Sequence, residues 1–148
     1  MIALADNIQD IVSFYIKKYQ TTNPFQVARN LNILYQEGDL GEYCGCYMFL
    51  KNHRYIFLNN NLNENEKRFV MAHELGHAIL HKKQNCYFIR NKTLLLNAKI
   101  EKEANLFASY LLLPDSDIEL FKENQYTLDE ISCISGLDRR IVEIRLTI

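Results

Sequence analysis

The residues with the most specific chemistry in this chain are His73, Glu74 and His77, in the run Met71-Ala72-His73-Glu74-Leu75-Gly76-His77-Ala78-Ile79-Leu80-His81. Residues four apart on an α-helix return to nearly the same face one turn along, so His73 and His77 aim two imidazoles at one point, as a tetrahedral Zn²⁺ site requires. Glu74 is rotated about a quarter turn from His73 and flanks such an ion rather than binding it. A carboxylate placed there accepts a proton from metal-bound water and later passes it to a leaving amine. At the His and Glu frequencies of this chain, the His-Glu-x-x-His spacing arises by chance in roughly one such sequence in a hundred. The bland alternative is a helix with surface histidines and a solvated glutamate. Apolar residues on both sides of the motif argue against it.

A catalytic zinc needs a third protein ligand and one open position. His81 lies eight residues beyond His73, about 12 Å of helical rise, which is too far for both to share one ion. A glycine that would turn the chain between His77 and His81 is absent. His81 therefore reads as a helix C-terminal residue, a group supporting a ligand, or a substrate contact. The better candidate lies on the next long helical pattern, where Glu101, Ala104 and Ala108 share one face by spacings of three and four. Small residues there allow close packing on the motif helix and bring the Glu101 carboxylate toward the ion. Asn105, one turn on, is placed to hydrogen-bond a ligand imidazole. Glu103 projects toward another face and is the second choice. The alternative for Glu101 is an exposed helix-start carboxylate favoured by the helix dipole.

The elements that must position these residues follow from periodicity and capping. Leu4, Ile8, Ile11, Val12, Tyr15, Ile16 and Tyr19 predict an amphipathic helix over 4–19, and Pro24 starts a short second helix ending near Asn30. A strand is expected over 32–37, then a turn through Gly38 and Gly41. Strand-like runs over 43–50 and 55–59, joined by Lys51-Asn52-His53-Arg54, predict an antiparallel hairpin. Asn63 and Glu66 form a capping-box pattern that starts the motif helix, expected over 64–81 with Val70, Leu75 and Ile79 or Leu80 as its core stripe. Residues 85–97 read as irregular or partly extended. A third long helix is expected over 98–113 and is limited by Pro114. Short helices follow near 116–122 and 128–135 and from about Asp138.

Composition bounds the function classes. Seventeen basic against 18 acidic residues leave a net charge of −1, so no basic excess points to nucleic acid. The N-terminus lacks the basic and apolar regions of a secretory signal, and no apolar run approaches the length of a membrane span. Cys44, Cys46, Cys86 and Cys133 form no CxxC pair and no disulfide framework. Cys44-Gly45-Cys46 could offer two thiolates to a metal, but small strand residues are the simpler reading. The expectation is a reduced, cytoplasmic protein of one domain over residues 1–148, with 115–148 as a helical C-terminal extension.

Two blocks together resemble the ImmA/IrrE family of metallopeptidases. One is His73-Glu74-Leu75-Gly76-His77-Ala78-Ile79-Leu80-His81, and the other is Glu101-Lys102-Glu103-Ala104-Asn105-Leu106-Phe107-Ala108, continuing to Leu112-Leu113-Pro114. Weaker agreement comes from Tyr55-Ile56-Phe57-Leu58-Asn59. The resemblance implies an α+β, zincin-like fold: a small antiparallel sheet packed on helices, the motif on a central helix, and short helices at the C-terminus. It implies Zn²⁺ held by His73, His77 and Glu101, with Glu74 as the catalytic base. It also implies a protein substrate, namely a helix-turn-helix repressor cleaved to relieve transcriptional repression in a prophage, mobile element or stress response. Manganese or iron can occupy similar ligand sets.

One rival reading comes from residues 127–146, where Gly136 sits between two short helical patterns and Arg139, Arg140 and Arg145 lie on the second. That rhythm suits DNA binding, but Asp138, Glu143 and the lack of a positive excess oppose it. Another rival is a non-catalytic zinc protein that only binds the repressor.

Overall fold

The computed structural model describes residues 4–89 and 99–147. The chain forms α1 (Leu4–Tyr19), α2 (Pro24–Asn30), β1 (Leu34–Gly38), β2 (Tyr43–Leu50), β3 (His53–Asn59), α3 (Glu64–Leu80), β4 (Cys86–Ile89), α4 (Lys99–Leu112), α5 (Asp115–Glu123), α6 (Leu128–Ser135) and α7 (Arg139–Leu146). This is an α+β arrangement, as expected. Local signals explain most of the boundaries. Asn23 caps α2, its side chain accepting from Phe25 N at 2.9 Å, with Pro24 in the first turn. The Asn63–Glu66 capping box is complete: Glu66 N donates to Asn63 Oδ1 at 2.8 Å, and Asn63 N donates to Glu66 Oε1 at 3.0 Å. The β2–β3 connection is tighter than the four residues expected. Lys51 and Asn52 alone turn the chain, with φ of 50° and 62°, the left-handed pair that matches strand twist in a two-residue hairpin.

The sheet order is β1-β3-β2-β4. The expected antiparallel hairpin of β2 and β3 forms its centre, with Cys46 opposite Phe57. The sheet as a whole is mixed rather than antiparallel, because β1 pairs parallel to β3, Leu34 opposite Tyr55 and Gly38 opposite Asn59. The chain reverses after β1, but β3 then inserts between β1 and β2. Asn59, almost wholly buried, braces that reversal by donating to the carbonyls of Gly41 and Tyr43 at 3.0 and 2.8 Å. Strand β4 adds to the far edge of β2, within the segment read as irregular or partly extended. The remainder of that segment, 90–97, and the first residue of the expected third helix, Ala98, lie outside the described residues.

Helix α3 is the middle layer. It lies between β2 and β3 on one side and α4 on the other, with α2 beside it; α1 and α7 cover α4 in turn. Burial all round explains a departure from the expected stripe. Nine consecutive residues, Val70–Ala78, are buried, whereas Ile79 and Leu80 are only partly so. Close approach is built from small residues. A Cβ on Gly76 would lie 3.1 Å from Phe107 Cβ and 3.3 Å from Ala104 Cα, so α3 and α4 touch at backbone distance. Arg54 of β3 ties the ends of α2 and α3 together, donating to Leu31 O at 3.2 Å and Ala78 O at 3.3 Å. No helix among the described residues is long and apolar enough to cross a membrane.

Candidate metal centre

The capping box fixes where α3 begins, so the phase of the helix places His73 and His77 together on the side facing α4. Their Nε2 atoms stand 3.2 Å apart. Glu101, in the first turn of α4, completes the group: Oε2 lies 2.9 Å from His73 Nε2 and Oε1 lies 3.3 Å from His77 Nε2. The structure thus brings Glu101 rather than Glu103 to the histidine pair. Among the described residues, these three side chains form the group of potential ligands that converges closely.

Whether they fit a cation follows from distances and lone pairs. Ligand bonds of about 2.0–2.1 Å in tetrahedral array put neighbouring donor atoms roughly 3.3–3.4 Å apart. The two ring nitrogens, 3.2 Å apart, are close to that value, each Glu101 oxygen approaches one ring, and a single ligand atom from each residue lies within 4.8 Å of the other two. The other ring nitrogens have partners of their own. His73 Nδ1 lies 2.9 Å from Asn105 Oδ1, the contact expected of Asn105. A carbonyl oxygen only accepts, so His73 donates from Nδ1 and presents a lone pair at Nε2. Imidazole lone pairs and a carboxylate facing one another at such distances need a shared positive charge. A divalent ion supplies it. Burial pushes the Glu101 carboxyl up, but its close contacts with the His73 and His77 rings hold it far below its ordinary value. Burial pulls the His77 pKa below its ordinary value, favouring the neutral ring that binds a metal.

Glu74 is wholly buried, and neither carboxylate oxygen has a hydrogen-bond partner among the described residues. Burial first, and the Glu101 carboxylate second, push its pKa well above the ordinary carboxyl value. A buried, unpaired carboxyl beside a second carboxylate is costly unless a cation or a reacting group meets it. Gly45 of β2 gives Glu74 its room. A Cβ there would come within 2.8 Å of Val70 Cγ1, 2.9 Å of Phe57 O and 3.6 Å of Glu74 Cγ. Sequence reasoning passed over Gly45, although glycine inside a strand is itself a sign of close backbone approach.

Comparison with known proteins identifies relatives of the chain. The family described as the IrrE N-terminal-like domain, a peptidase family, matches residues 28–146. "Uncharacterized immunity region protein 2" of Bacillus phage phi105 is 40% identical over 139 residues, covering 93% of this chain and 88% of that protein. "Metallopeptidase ImmA" of Bacillus subtilis (strain 168) is 34% identical over 114 residues, covering 77% of this chain and 68% of that protein. The chain belongs to the ImmA/IrrE family of metallopeptidases. The matched span of this ImmA/IrrE chain takes in β1 to α7 and therefore all the residues just described.

Other residues singled out from the sequence lie elsewhere or do something else. His81 ends α3 and has both ring nitrogens engaged, Nδ1 with His77 Nδ1 at 3.1 Å and Nε2 with Glu103 Oε2 at 2.7 Å. Glu103 therefore does reach the α3 surface, one step removed from the converging group. Cys44 and Cys46 are buried and form no disulfide among the described residues, and no third donor stands beside them there. Burial, aided by Glu74, pushes the Cys46 thiol up to about 11, so it stays protonated. In α7, Ile141, Val142 and Arg145 are buried, and Arg145 donates to Leu113 O at 2.7 Å and Asp115 Oδ1 at 2.6 Å. Arg139 and Arg140 are held by Asp129 and Asp138.

Proposed function

We propose that the chain is a zinc-dependent endopeptidase acting in the cytoplasm on a helix-turn-helix repressor, whose cleavage relieves repression in a prophage or mobile element. The observation that carries the reading is the wholly buried Glu74 carboxyl, without a hydrogen-bond partner among the described residues, beside three converging ligand atoms from His73, His77 and Glu101. In this reading His73, His77 and Glu101 hold one Zn²⁺ ion per chain. When bound, the ion supplies Lewis-acid polarisation of the scissile carbonyl and acidifies the attacking water. Glu74 takes the water proton on its carboxylate and returns it to the leaving amine. Asn105 orients His73 through Nδ1, and Gly45 of β2 leaves room beside the Glu74 side chain.

The substrate class rests on kinship: a phage immunity-region protein and a metallopeptidase are among the relatives. Mixing the purified chain with the repressor encoded beside it, with and without a chelator, tests the reading. A defined cut that chelation stops and zinc restores supports it. An intact complex would leave only a binding protein. A salt-dependent shift of DNA without any cut would favour the nucleic-acid rival, which the buried apolar face of α7 and its paired arginines oppose.

A further inference from the structure

The two histidines of the centre are held in different ways. His73 Nδ1 meets the amide oxygen of Asn105 directly, whereas His77 Nδ1 meets a second imidazole, His81 Nδ1. A contact between two Nδ1 atoms leaves open which ring donates, since a neutral imidazole has a hydrogen on one nitrogen and a lone pair on the other. Glu103 resolves it. A carboxylate oxygen accepts, so His81 Nε2 donates in the 2.7 Å contact with Glu103 Oε2. In the tautomer that donates from Nε2, His81 offers a lone pair at Nδ1, and the hydrogen between the rings belongs to His77. His77 Nε2 in turn presents its lone pair toward His73 and Glu101. The arrangement is sheltered, with the His81 and Glu103 side chains 8% and 13% exposed, so water competes weakly for these bonds. Lys99, 81% exposed and 4.0 Å from Glu103 Oε1, contributes little.

We propose that Glu103, acting through His81, is a positioning device that fixes the ring orientation and tautomer of His77 for metal binding. The inference rests on the reading of His77 as a ligand. It also gives Glu103 a task distinct from that of Glu101, two residues before it: Glu101 meets the ion and Glu103 prepares a ligand.

Zinc affinity of the full chain, measured by competition with a chromophoric chelator, tests this. His81→Leu removes the acceptor and is expected to weaken zinc binding about tenfold to a hundredfold. His81→Asn keeps an oxygen near the position of imidazole Nδ1 and should recover most of the affinity. Glu103→Leu should weaken binding about tenfold, with Glu103→Gln, which still accepts from His81, falling between it and the parent. In the zinc-loaded protein, the His77 Nδ1 proton seen by ¹⁵N-edited NMR should be protected from exchange in the parent and His81→Asn, and lose protection in His81→Leu. Unchanged zinc affinity in His81→Leu or Glu103→Leu, or equal losses in His81→Leu and His81→Asn, would overturn the positioning role. If His81→Leu does not fold, the Glu103 pair decides by the same criterion. His77→Ala is the reference. If it keeps full zinc affinity, the ligand reading itself fails; if it loses zinc while His81→Leu does not, only this inference fails.

Discussion

The α3–α4 centre and the α6–α7 pair both place charged side chains on adjacent helices, under opposite constraints. At the centre His73, Glu74, His77 and Asn105 are shut away from water, and Glu74 has no partner among the described residues. At α6–α7 the side chains of Arg139 and Arg140 are 57% and 63% exposed, and each is answered by an aspartate. A buried polar group without a partner costs stability, so a fold that retains one points to chemistry there. An exposed ion pair costs little and contributes little, and it points to nothing. Helix rhythm alone made the second region look like a reader of DNA. Burial separates the two.

The comparison can be broken most sharply at Glu74. Glu74→Gln keeps shape but not basicity, and cleavage of the repressor should fall by at least about a hundredfold while bound zinc stays at the parental level. Retained cleavage would remove Glu74 from its role. His77→Ala should lose both zinc and cleavage, read by metal analysis of the purified protein. Gly45→Ala comes next. Its Cβ has no room against Phe57 O, so the strand or α3 must move, and a loss of about 1–3 kcal/mol in denaturant unfolding is expected together with slower cleavage.

The peripheral pair should yield smaller effects that spare activity. Asp138 caps α7, its side chain accepting from Arg140 N at 2.8 Å. Asp138→Ala should cost about 1 kcal/mol at neutral pH without changing zinc affinity. Its carboxyl pKa is held below 3.8, chiefly by the hydrogen bond from the Arg140 side chain. A carboxyl depressed on folding contributes stability above its unfolded pKa and loses it as pH falls through the folded value. The difference between parent and variant should therefore shrink below about pH 4, as melting curves across that range would reveal. Arg139→Ala should change stability by no more than about 0.5 kcal/mol and leave cleavage intact. A large loss of cleavage there would revive a functional role for α6–α7.

Local grammar made the centre's main parts readable. Four-residue spacing gave the histidine pair, the Asn63–Glu66 box gave the start of their helix, and a run of small residues on α4 pointed to Glu101. What escaped depended on contacts distant in the chain. The parallel pairing of β1 exists only because β3 inserts beside it. The complete burial of the middle of α3 comes from being covered on opposite sides, and it erases the stripe that a half-exposed helix would show. Helical phase turns Glu103 to another face and makes it only the second choice of ligand, yet His81, at the end of α3, lies within its reach.

Arg54 carries a consequence for how the molecule comes apart. The carbonyl of Ala78 belongs to the last turn of α3, where no later amide in the helix can satisfy it, and Leu31 closes α2. One guanidinium on the hairpin rivets both helix ends. The turn that carries His77 therefore cannot fray while the hairpin stays zipped. When heat opens the strands, that turn loosens with them, so the capacity to retain an ion should vanish in the same step as the sheet.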